Sequence, residues 1–218
     1  MSNKKVAVIL SGCGVYDGAE INEVVLTLLA LESNDIQYQC FAPDIEQYHT
    51  VDHTTGDTEA IPRNVLKESA RIVRGEILPL TDCLIEEFAA VIVPGGFGVA
   101  KSLSNFAAAE SEFHVEKSTL STLRKFADKK KPAGYMCIAP VLIPTVYGPD
   151  AKVTIGNDDS VIEFIRRSGG MHQLAGYDEI VFDEEKKIVT TPAFMLAKNL
   201  REAKIGIDKL VDKVVSLC

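Results

Sequence analysis

Short aliphatic runs that end in glycine- or proline-rich turns are the sequence feature that most restricts the fold of this chain. Residues 5–10 lead into a glycine-rich turn, and residues 89–93 lead into Pro94-Gly95-Gly96. Continuous apolar runs of this length are typical of parallel strands that are buried on both faces. Segments with helical periodicity separate the runs. This alternation predicts an α/β fold in which helices cover both faces of a mainly parallel sheet.

The remaining patterns complete the predicted order of elements. Further strands are predicted at 36–42, at 152–155 and in a run that ends at Cys137, with a hairpin across 179–191. Helices are predicted near 20–32, 63–72, 115–129, 161–167 and 195–215, and the polar stretch 44–62 is predicted to be a surface flap. The helix at 20–32 carries an apolar stripe predicted to face the core, made of Ile21, Val24, Val25, Leu28, Leu29 and Leu31.

Composition limits the domain count and the class of partner. The 218 residues are 46% hydrophobic, without a break in composition, which predicts one domain over residues 1–218. A formal net charge of -8 disfavours nucleic acid and anionic membranes, because both bind basic surfaces. No apolar run approaches the length of a membrane span, and residues 1–10 hold too few apolar residues for a secretory signal. A small molecule is the expected ligand.

The cysteines indicate a reducing compartment. Five cysteines are present, and they form no CxxC pair. Neither a disulfide framework nor a zinc ribbon is therefore predicted. Because reduced thiols fit the cytosol, the sequence predicts a cytoplasmic protein.

Cys137 stands where a predicted strand ends and a predicted helix begins. Such a turn projects the sulfur beyond the carboxyl edge of the sheet, over the positive end of the helix dipole. We therefore expect a nucleophilic thiol with a lowered pKa. An inert buried cysteine is the open alternative. Tyr135 and Ala139 depart from the Gly-x-nucleophile-x-Gly spelling of hydrolases.

Two other turns are expected to meet Cys137 at the same edge of the sheet. In the turn at 94–98, the backbone N–H of Gly96 is predicted to form an oxyanion hole together with the N–H of Ile138. Glu20 follows the glycine-rich turn at 11–20. Its carboxyl group either stabilises the helix N-terminus, or faces the sulfur and carries protons.

The first turn also holds candidates for substrate contact, namely Cys13, Tyr16 and Asp17. Cys13 is either a resolving thiol for Cys137 or a simple spacer, and the spacer is favoured. A dinucleotide-binding GxGxxG motif that starts at Gly12 would need glycine at position 17, so no nicotinamide cofactor is predicted. His49 and His53 are four residues apart but lie in a segment with few helix signals, so no metal site is predicted.

Six segments spread over nearly the whole chain carry a family resemblance: VILSGCGVYDGAEI, RNVLKESARIVRGEI, VPGGFGVAKSLSNFA, GYMCIAP, KVTIG and KIVTTPAFMLA. They resemble the ThiJ/PfpI superfamily, within the class I glutamine amidotransferase-like fold, and most closely its ElbB branch, which is linked to isoprenoid biosynthesis. The resemblance implies a flavodoxin-like three-layer sandwich and a homodimer. It also implies a glyoxalase that needs no cofactor and converts glyoxal or methylglyoxal, small 2-oxoaldehydes, to glycolate or lactate.

The resemblance assigns the nucleophile to Cys137, the glutamate to Glu20, and the oxyanion donors to Gly96 and Ile138. Many relatives carry a triad histidine after the strand that follows the cysteine, but this chain has Gly156 there. Because a cysteine hydrolase needs an imidazole to protonate its leaving group, this departure disfavours peptidase or amidase activity. Two hypotheses remain: a glyoxalase-type lyase, and a regulatory or binding protein of isoprenoid metabolism whose reactive cysteine has little catalytic activity.

Overall fold

The computed structural model describes residues 4–108 and 112–218, and its centre is a seven-stranded sheet. The strands of the chain are β1 (Lys5–Ile9), β2 (Gln37–Ala42), β3 (Thr50–Val51), β4 (Thr58–Glu59), β5 (Ile77–Pro79), β6 (Ala90–Val93), β7 (Ala133–Met136), β8 (Lys152–Val153), β9 (Met171–His172), β10 (Val181–Asp183) and β11 (Ile188–Thr191). The central sheet has the order β10-β11-β7-β6-β1-β2-β5. Its neighbours are parallel except for the hairpin of β10 and β11.

Helices cover both faces of this sheet. They are α1 (Ile21–Ser33), α2 (Val65–Ile72), α3 (Lys117–Asp128), α4 (Ile143–Tyr147), α5 (Asp159–Arg167) and α6 (Leu200–Ser216). Buried side chains of α1, α2 and α6 form a core on one face, and those of α3, α4 and α5 form a core on the other. The predicted flavodoxin-like three-layer α/β sandwich is confirmed, and so is the hairpin.

Several predicted elements differ from the structure for local reasons. The strand predicted at 152–155 is reduced to β8, which pairs with β9 outside the central sheet. The last helix begins at Leu200 and not at residue 195, because the Asn199 side chain caps it by accepting a hydrogen bond from the Glu202 N–H at 3.0 Å. The edge strand β5 was not predicted, since it has three residues and ends in proline.

The apolar stripe predicted for α1 is only partly buried. Val24 and Leu31 lie in the core, whereas Ile21, Val25 and Leu29 are 40%, 48% and 45% exposed. Glu23 and Thr27 occupy the inward face instead and are completely buried. The sequence of α1 is apolar on nearly all sides, so its periodicity does not select a buried face.

Candidate active site

Cys137 directly follows β7 and adopts a backbone conformation that is unusual for its residue type. Its φ of 58° lies in the left-handed region, where a side chain other than glycine is strained. Its N–H donates to the Thr191 carbonyl at 3.1 Å, which ties the turn to β11. A Cβ on Gly95 would lie 2.4 Å from the Cβ of Cys137, so only glycine lets the turn after β6 come this close. The thiol therefore lies between the ends of β6, β7 and β11.

The carboxyl group that contacts the sulfur belongs to Glu23. This side chain is completely buried and is hydrogen-bonded to the Cys137 thiol. Its oxygens also accept from the N–H groups of Gly95 at 2.8 Å and of Phe194 at 3.2 Å. Burial raises the pKa of Glu23 to about 7, and the Glu20 carboxylate adds to the rise. Glu23 is therefore an acid–base group that titrates near neutral pH.

The prediction that Glu20 faces the sulfur is wrong. Glu20 is the N-cap of α1, and its carboxylate accepts from the Glu23 N–H at 2.6 Å and from the Asn22 amide at 2.9 Å. These bonds hold the Glu20 side chain at the end of its own helix. Glu23 lies almost one helical turn further on, on the face that packs against the sheet. Sequence analysis missed Glu23 as a site residue, because the nearly all-round apolar sequence of α1 does not show which of its residues faces the sheet.

The predicted decrease in the thiol pKa is also wrong. Burial raises the pKa of Cys137 well above its usual value, and the charge of Glu23 raises it further. The N–H groups of Gly96 and Ile138 both hydrogen-bond the sulfur and oppose this rise without reversing it. The thiol is only 8% exposed, and the turn after it is a 3-10 helix of four residues with a small dipole. At rest, Cys137 is therefore a neutral thiol beside a proton acceptor.

The candidates in the first turn hold the flap rather than line a pocket. Asp17 is 2% exposed, and its Oδ2 accepts from the Val51 N–H of β3 at 2.8 Å. The Tyr16 ring stacks on His53 with 4.8 Å between centroids, and the Tyr16 N–H donates to His53 Nε2 at 3.2 Å. Asp17 therefore anchors the flap, while Tyr16 keeps an exposed ring edge. This contradicts the prediction of Asp17 as an exposed substrate contact.

Cys13 lies in different surroundings from Cys137. It is a free thiol, and burial together with the charge of Glu68 raises its pKa. The electrostatic neighbours of Cys13 include Glu68 and Arg71 from α2, whereas the charged neighbour of Cys137 is Glu23. No disulfide joins the two thiols in the described part of the chain. These surroundings favour the spacer interpretation of Cys13.

The position of the family's triad histidine is filled by a leucine side chain. Gly156 has a φ of 93°, and a Cβ there would lie 2.8 Å from Cγ of Leu196. His172 is near this segment, but its Nε2 accepts from the Ile155 N–H at 3.3 Å and so supports the backbone. Within residues 4–108 and 112–218, no three histidine, cysteine or acidic side chains form a cluster that could hold a metal ion. No described helix is long and apolar enough to span a membrane.

Comparison with known proteins gives close relatives over nearly the whole chain. It is 41% identical to the "ES1 protein homolog, mitochondrial" of Rattus norvegicus, over 98% of this chain and 84% of that protein. It is also 41% identical to the human "Glutamine amidotransferase-like class 1 domain-containing protein 3, mitochondrial", over 98% of this chain and 83% of the relative. No model of a protein family matches the chain.

Solved structures support the same relationship. The crystal structure of an isoprenoid biosynthesis protein with amidotransferase-like domain from Ehrlichia chaffeensis is similar, with a TM-score of 0.93 and 34% identity over 98% of this chain and 99% of that one. Drosophila melanogaster DJ-1beta shares the fold, with a TM-score of 0.54 and 17% identity over 99% and 95% of the two chains.

The prediction of a cytoplasmic protein is contradicted by these relatives. The rat and human proteins are both named as mitochondrial, and so is the ES1 protein of Danio rerio, which is 31% identical over 99% of this chain and 86% of the relative. The prediction depended on free thiols and on the lack of a secretory signal. Neither observation separates the cytosol from the mitochondrial matrix, because both compartments keep thiols reduced. The chain therefore has the fold of the DJ-1/ThiJ/PfpI structures, and by sequence it belongs to the ES1 and ElbB-like family of glutamine amidotransferase-like class 1 proteins.

Proposed function

We propose that this protein is a cofactor-free glyoxalase-type lyase that converts glyoxal or methylglyoxal to glycolate or lactate. The observation that carries the proposal is the buried Glu23 carboxyl group, which is hydrogen-bonded to the Cys137 thiol and has a pKa raised to about 7. A thiol beside such a group can lose its proton as it attacks a carbonyl, without first being a free thiolate.

The first step is addition of sulfur to the aldehyde. A bond forms between Sγ of Cys137 and the aldehyde carbon, and the thiol proton passes to the Glu23 carboxylate. The former carbonyl oxygen becomes an oxyanion near the N–H groups of Gly96 and Ile138, which already point at the sulfur. Glu23 passes the proton on to this oxygen, which yields a hemithioacetal and leaves Glu23 as a carboxylate.

The second step is an internal redox reaction of the substrate. Glu23 removes the proton from the carbon attached to sulfur, which gives an enediol, and returns a proton to the neighbouring carbon. The product is a 2-hydroxyacyl thioester of Cys137. Water hydrolyses this thioester, which releases the 2-hydroxy acid and restores the thiol. The sum is one aldehyde plus one water, so no redox cofactor is consumed.

The packing around Gly156 supports this reaction over amide hydrolysis. Leu196 fills the space that a triad histidine would need, so the described site has no imidazole beside Cys137 to protonate an amine leaving group. The glyoxalase reaction has no amine leaving group, and a single carboxyl group can carry out each of its proton transfers.

The test is the conversion of methylglyoxal to lactate by purified protein as a function of pH. Glu23 must be deprotonated to accept the thiol proton, so we expect kcat/KM to rise as pH increases through about 7, the pKa of Glu23. Cys137→Ala protein is the control for adventitious catalysis. Lactate formation no faster than in that control would refute the proposal.

A second candidate function is a regulatory or binding role in isoprenoid metabolism. It is favoured by the raised pKa of the Cys137 thiol, which keeps the nucleophile neutral, and by the Ehrlichia chaffeensis relative, whose name refers to isoprenoid biosynthesis. This candidate predicts that Cys137 can be alkylated but that methylglyoxal is not turned over. The assay described above therefore separates the two.

We also propose that the chain forms a homodimer through the exposed side of α1. Ile21, Val25 and Leu29 recur every four residues and form a ridge about 12 Å long on this helix. Val25 and Leu29 also line a groove of about 670 Å³, together with Arg74, Glu32 and Glu76. A two-fold axis through this surface would pack the apolar side chains of the two copies together and would bring Arg74 of one copy near the acidic side chains of the other.

A charge on this ridge tests the dimer. We expect Leu29→Glu to convert the dimer to a monomer at micromolar concentration in analytical ultracentrifugation, because a carboxylate would have to be buried in the interface. Leu174→Glu is the matched control, since Leu174 is 76% exposed on another surface. A monomeric parent protein, or a dimer that Leu29→Glu leaves intact, would contradict the proposal.

A further inference from the structure

Lys101 lies in the turn after β6, five residues after Gly96 of the Cys137 site. Residues Val99–Leu103 form a π-helical turn, a conformation that is rare and often found at functional sites. In this turn the Lys101 ammonium donates to the Tyr16 carbonyl at 2.9 Å. Phe97 and Gly98 donate from their backbones to Val15 and Gly18, each at 2.8 Å. These three hydrogen bonds hold the turn after β6 against the glycine-rich turn at 11–20.

Residues 96–101, in the turn after β6, link the sulfur of Cys137 to Lys101. The Gly96 N–H contacts Sγ of Cys137. Phe97 is the next residue, and its ring is 46% exposed. The Lys101 ammonium lies over that ring, 5.2 Å from its centroid. An anionic group held by Lys101 would therefore lie beside Phe97, the residue that directly follows the Gly96 N–H donor to the sulfur.

The Lys101 ammonium is available for an external anion. Among the described residues, no carboxylate lies within ion-pair distance of it, and its ammonium donates a hydrogen bond to the neutral Tyr16 carbonyl. Burial lowers the pKa of Lys101, and the charge of Asp17 opposes this effect from a greater distance. A partly dehydrated ammonium with no contacting carboxylate gains more from an anion than a fully hydrated one does.

Space for a larger substrate begins at the same lysine. A cavity of about 590 Å³ is lined by Lys101 and by polar groups, among them the Ser102 and Tyr48 side chains and Lys117. Lys117 adds a second positive charge to the lining of this cavity. Among the residues that the structure describes, Glu116 is the one acidic side chain that lines it, and its oxygens accept from the backbone and hydroxyl groups of Ser118 and Thr119 at the start of α3.

We propose that Lys101 recognises an anionic group of the molecule that reacts with Cys137, so that the site prefers carbonyl compounds bearing a carboxylate or phosphate over neutral ones. This deepens the proposed function, because it specifies the substrate class of the same thiol. It depends on the reactivity of Cys137 and is independent of the later proton transfers. Lys101 is thus a specificity residue at the mouth of the site, and Glu23 and Cys137 carry the chemistry.

Alkylation of Cys137 tests this preference without requiring turnover. Iodoacetate and iodoacetamide have nearly the same size, and both form a carbon–sulfur bond with loss of iodide and of the thiol proton. Only iodoacetate is an anion. The rate constants at Cys137 are measured separately by mass spectrometry of the peptide that contains it, because the chain has other free thiols.

We expect Lys101→Met to lower the ratio of the iodoacetate rate to the iodoacetamide rate by about three- to tenfold, and Lys101→Arg to keep the ratio of the parent protein. The decrease should vanish at high salt, because screening removes the attraction. Lys152→Met is the matched control. It makes the same change in net charge at an exposed side chain on β8.

Equal ratios in Lys101→Met and Lys152→Met would overturn the inference, as would a Cys137 that reacts with neither reagent. The inference and the glyoxalase proposal fail separately. If the ratio depends on Lys101 but no 2-oxoaldehyde is converted, the glyoxalase chemistry is wrong and the anion preference stands. If methylglyoxal is converted and the ratio ignores Lys101, the reverse holds.

Discussion

Glu23→Gln is expected to lower kcat/KM for methylglyoxal by two to three orders of magnitude, whereas Glu20→Gln should stay within about fivefold of the parent protein. The glutamine is nearly isosteric and can still accept from the Gly95 N–H, but it cannot take up the Cys137 proton. Glu20 is fixed at the N-terminus of α1 by its bonds to the Glu23 N–H and to Asn22. Its substitution should therefore affect mainly the helix end, at a cost of about 1 kcal/mol.

The two variants also differ in how stability depends on pH. The pKa of Glu23 is raised in the folded protein from an ordinary value of 4.5 to about 7, so the folded state holds this proton more tightly than the unfolded state does. The parent protein should therefore lose about 3 kcal/mol of stability as pH rises from below 4.5 to above 7. Glu23→Gln should lack this part of the decrease, and Glu20→Gln should retain most of it, because burial is the larger cause of the raised pKa of Glu23. Urea denaturation at several pH values measures the difference.

Parent-like turnover by Glu23→Gln would contradict the assignment, and a large loss in Glu20→Gln alone would restore the original choice of glutamate. Steady-state assays of all three proteins, with circular dichroism to verify folding, decide between these outcomes. Iodoacetamide labelling adds a check on the first step alone. Its rate at Cys137 should rise through about pH 7 in the parent protein, following the pKa of Glu23, and should lose that inflection in Glu23→Gln.

Cys137→Ala is expected to lower turnover at least a thousandfold, because the proposed hemithioacetal and thioester both need the sulfur. Cys137→Gly should be equally inactive but more stable than Cys137→Ala by about 1 kcal/mol. The φ of 58° at this position strains alanine, whereas glycine adopts it freely. The pair separates chemistry from fold, since activity should be lost in both while stability differs.

The measurements are lactate formation and thermal unfolding of the two variants, together with mass spectrometry of the parent protein during turnover. A covalent adduct on the peptide that contains Cys137 is expected during the reaction and should disappear as the substrate is exhausted. Residual turnover by Cys137→Ala near the parent rate would exclude this cysteine as the nucleophile. In that case only the architecture would remain.

Much of the sheet could be predicted because the information is local. β1, β6 and β7 are short apolar runs closed by turns, and such runs are buried whatever surrounds them. The turn at Cys137 was predicted for the same reason. The edge strand β5 was missed, since three residues carry too little pattern. Compartment was also beyond this reasoning, because the thiols and the charge of the chain are compatible with more than one reducing compartment.

The site was predicted less well than the strands, and the errors have a common cause. Choosing Glu20 over Glu23 depended on the rotation of α1 about its axis, which its nearly all-round apolar sequence does not define. The thiol pKa depended on how deeply the folded chain buries the sulfur, since burial opposes ionisation more strongly than the N–H groups of Gly96 and Ile138 favour it. Asp17 was taken for a loop residue because its bond to Val51 spans two segments distant in sequence.

The sequence by itself determined the α/β architecture, the family, the position of Cys137 at a strand end and the glycines that let the neighbouring turn approach it. These depend on residues adjacent along the chain, whose conformational preferences act over a few positions. Only the tertiary structure decided which glutamate contacts the sulfur, that the thiol is neutral at rest, and that the Lys101 ammonium lies over the Phe97 ring. Those properties arise from burial and from distances between segments, and both are set by how α1, the flap and the turn after β6 pack together.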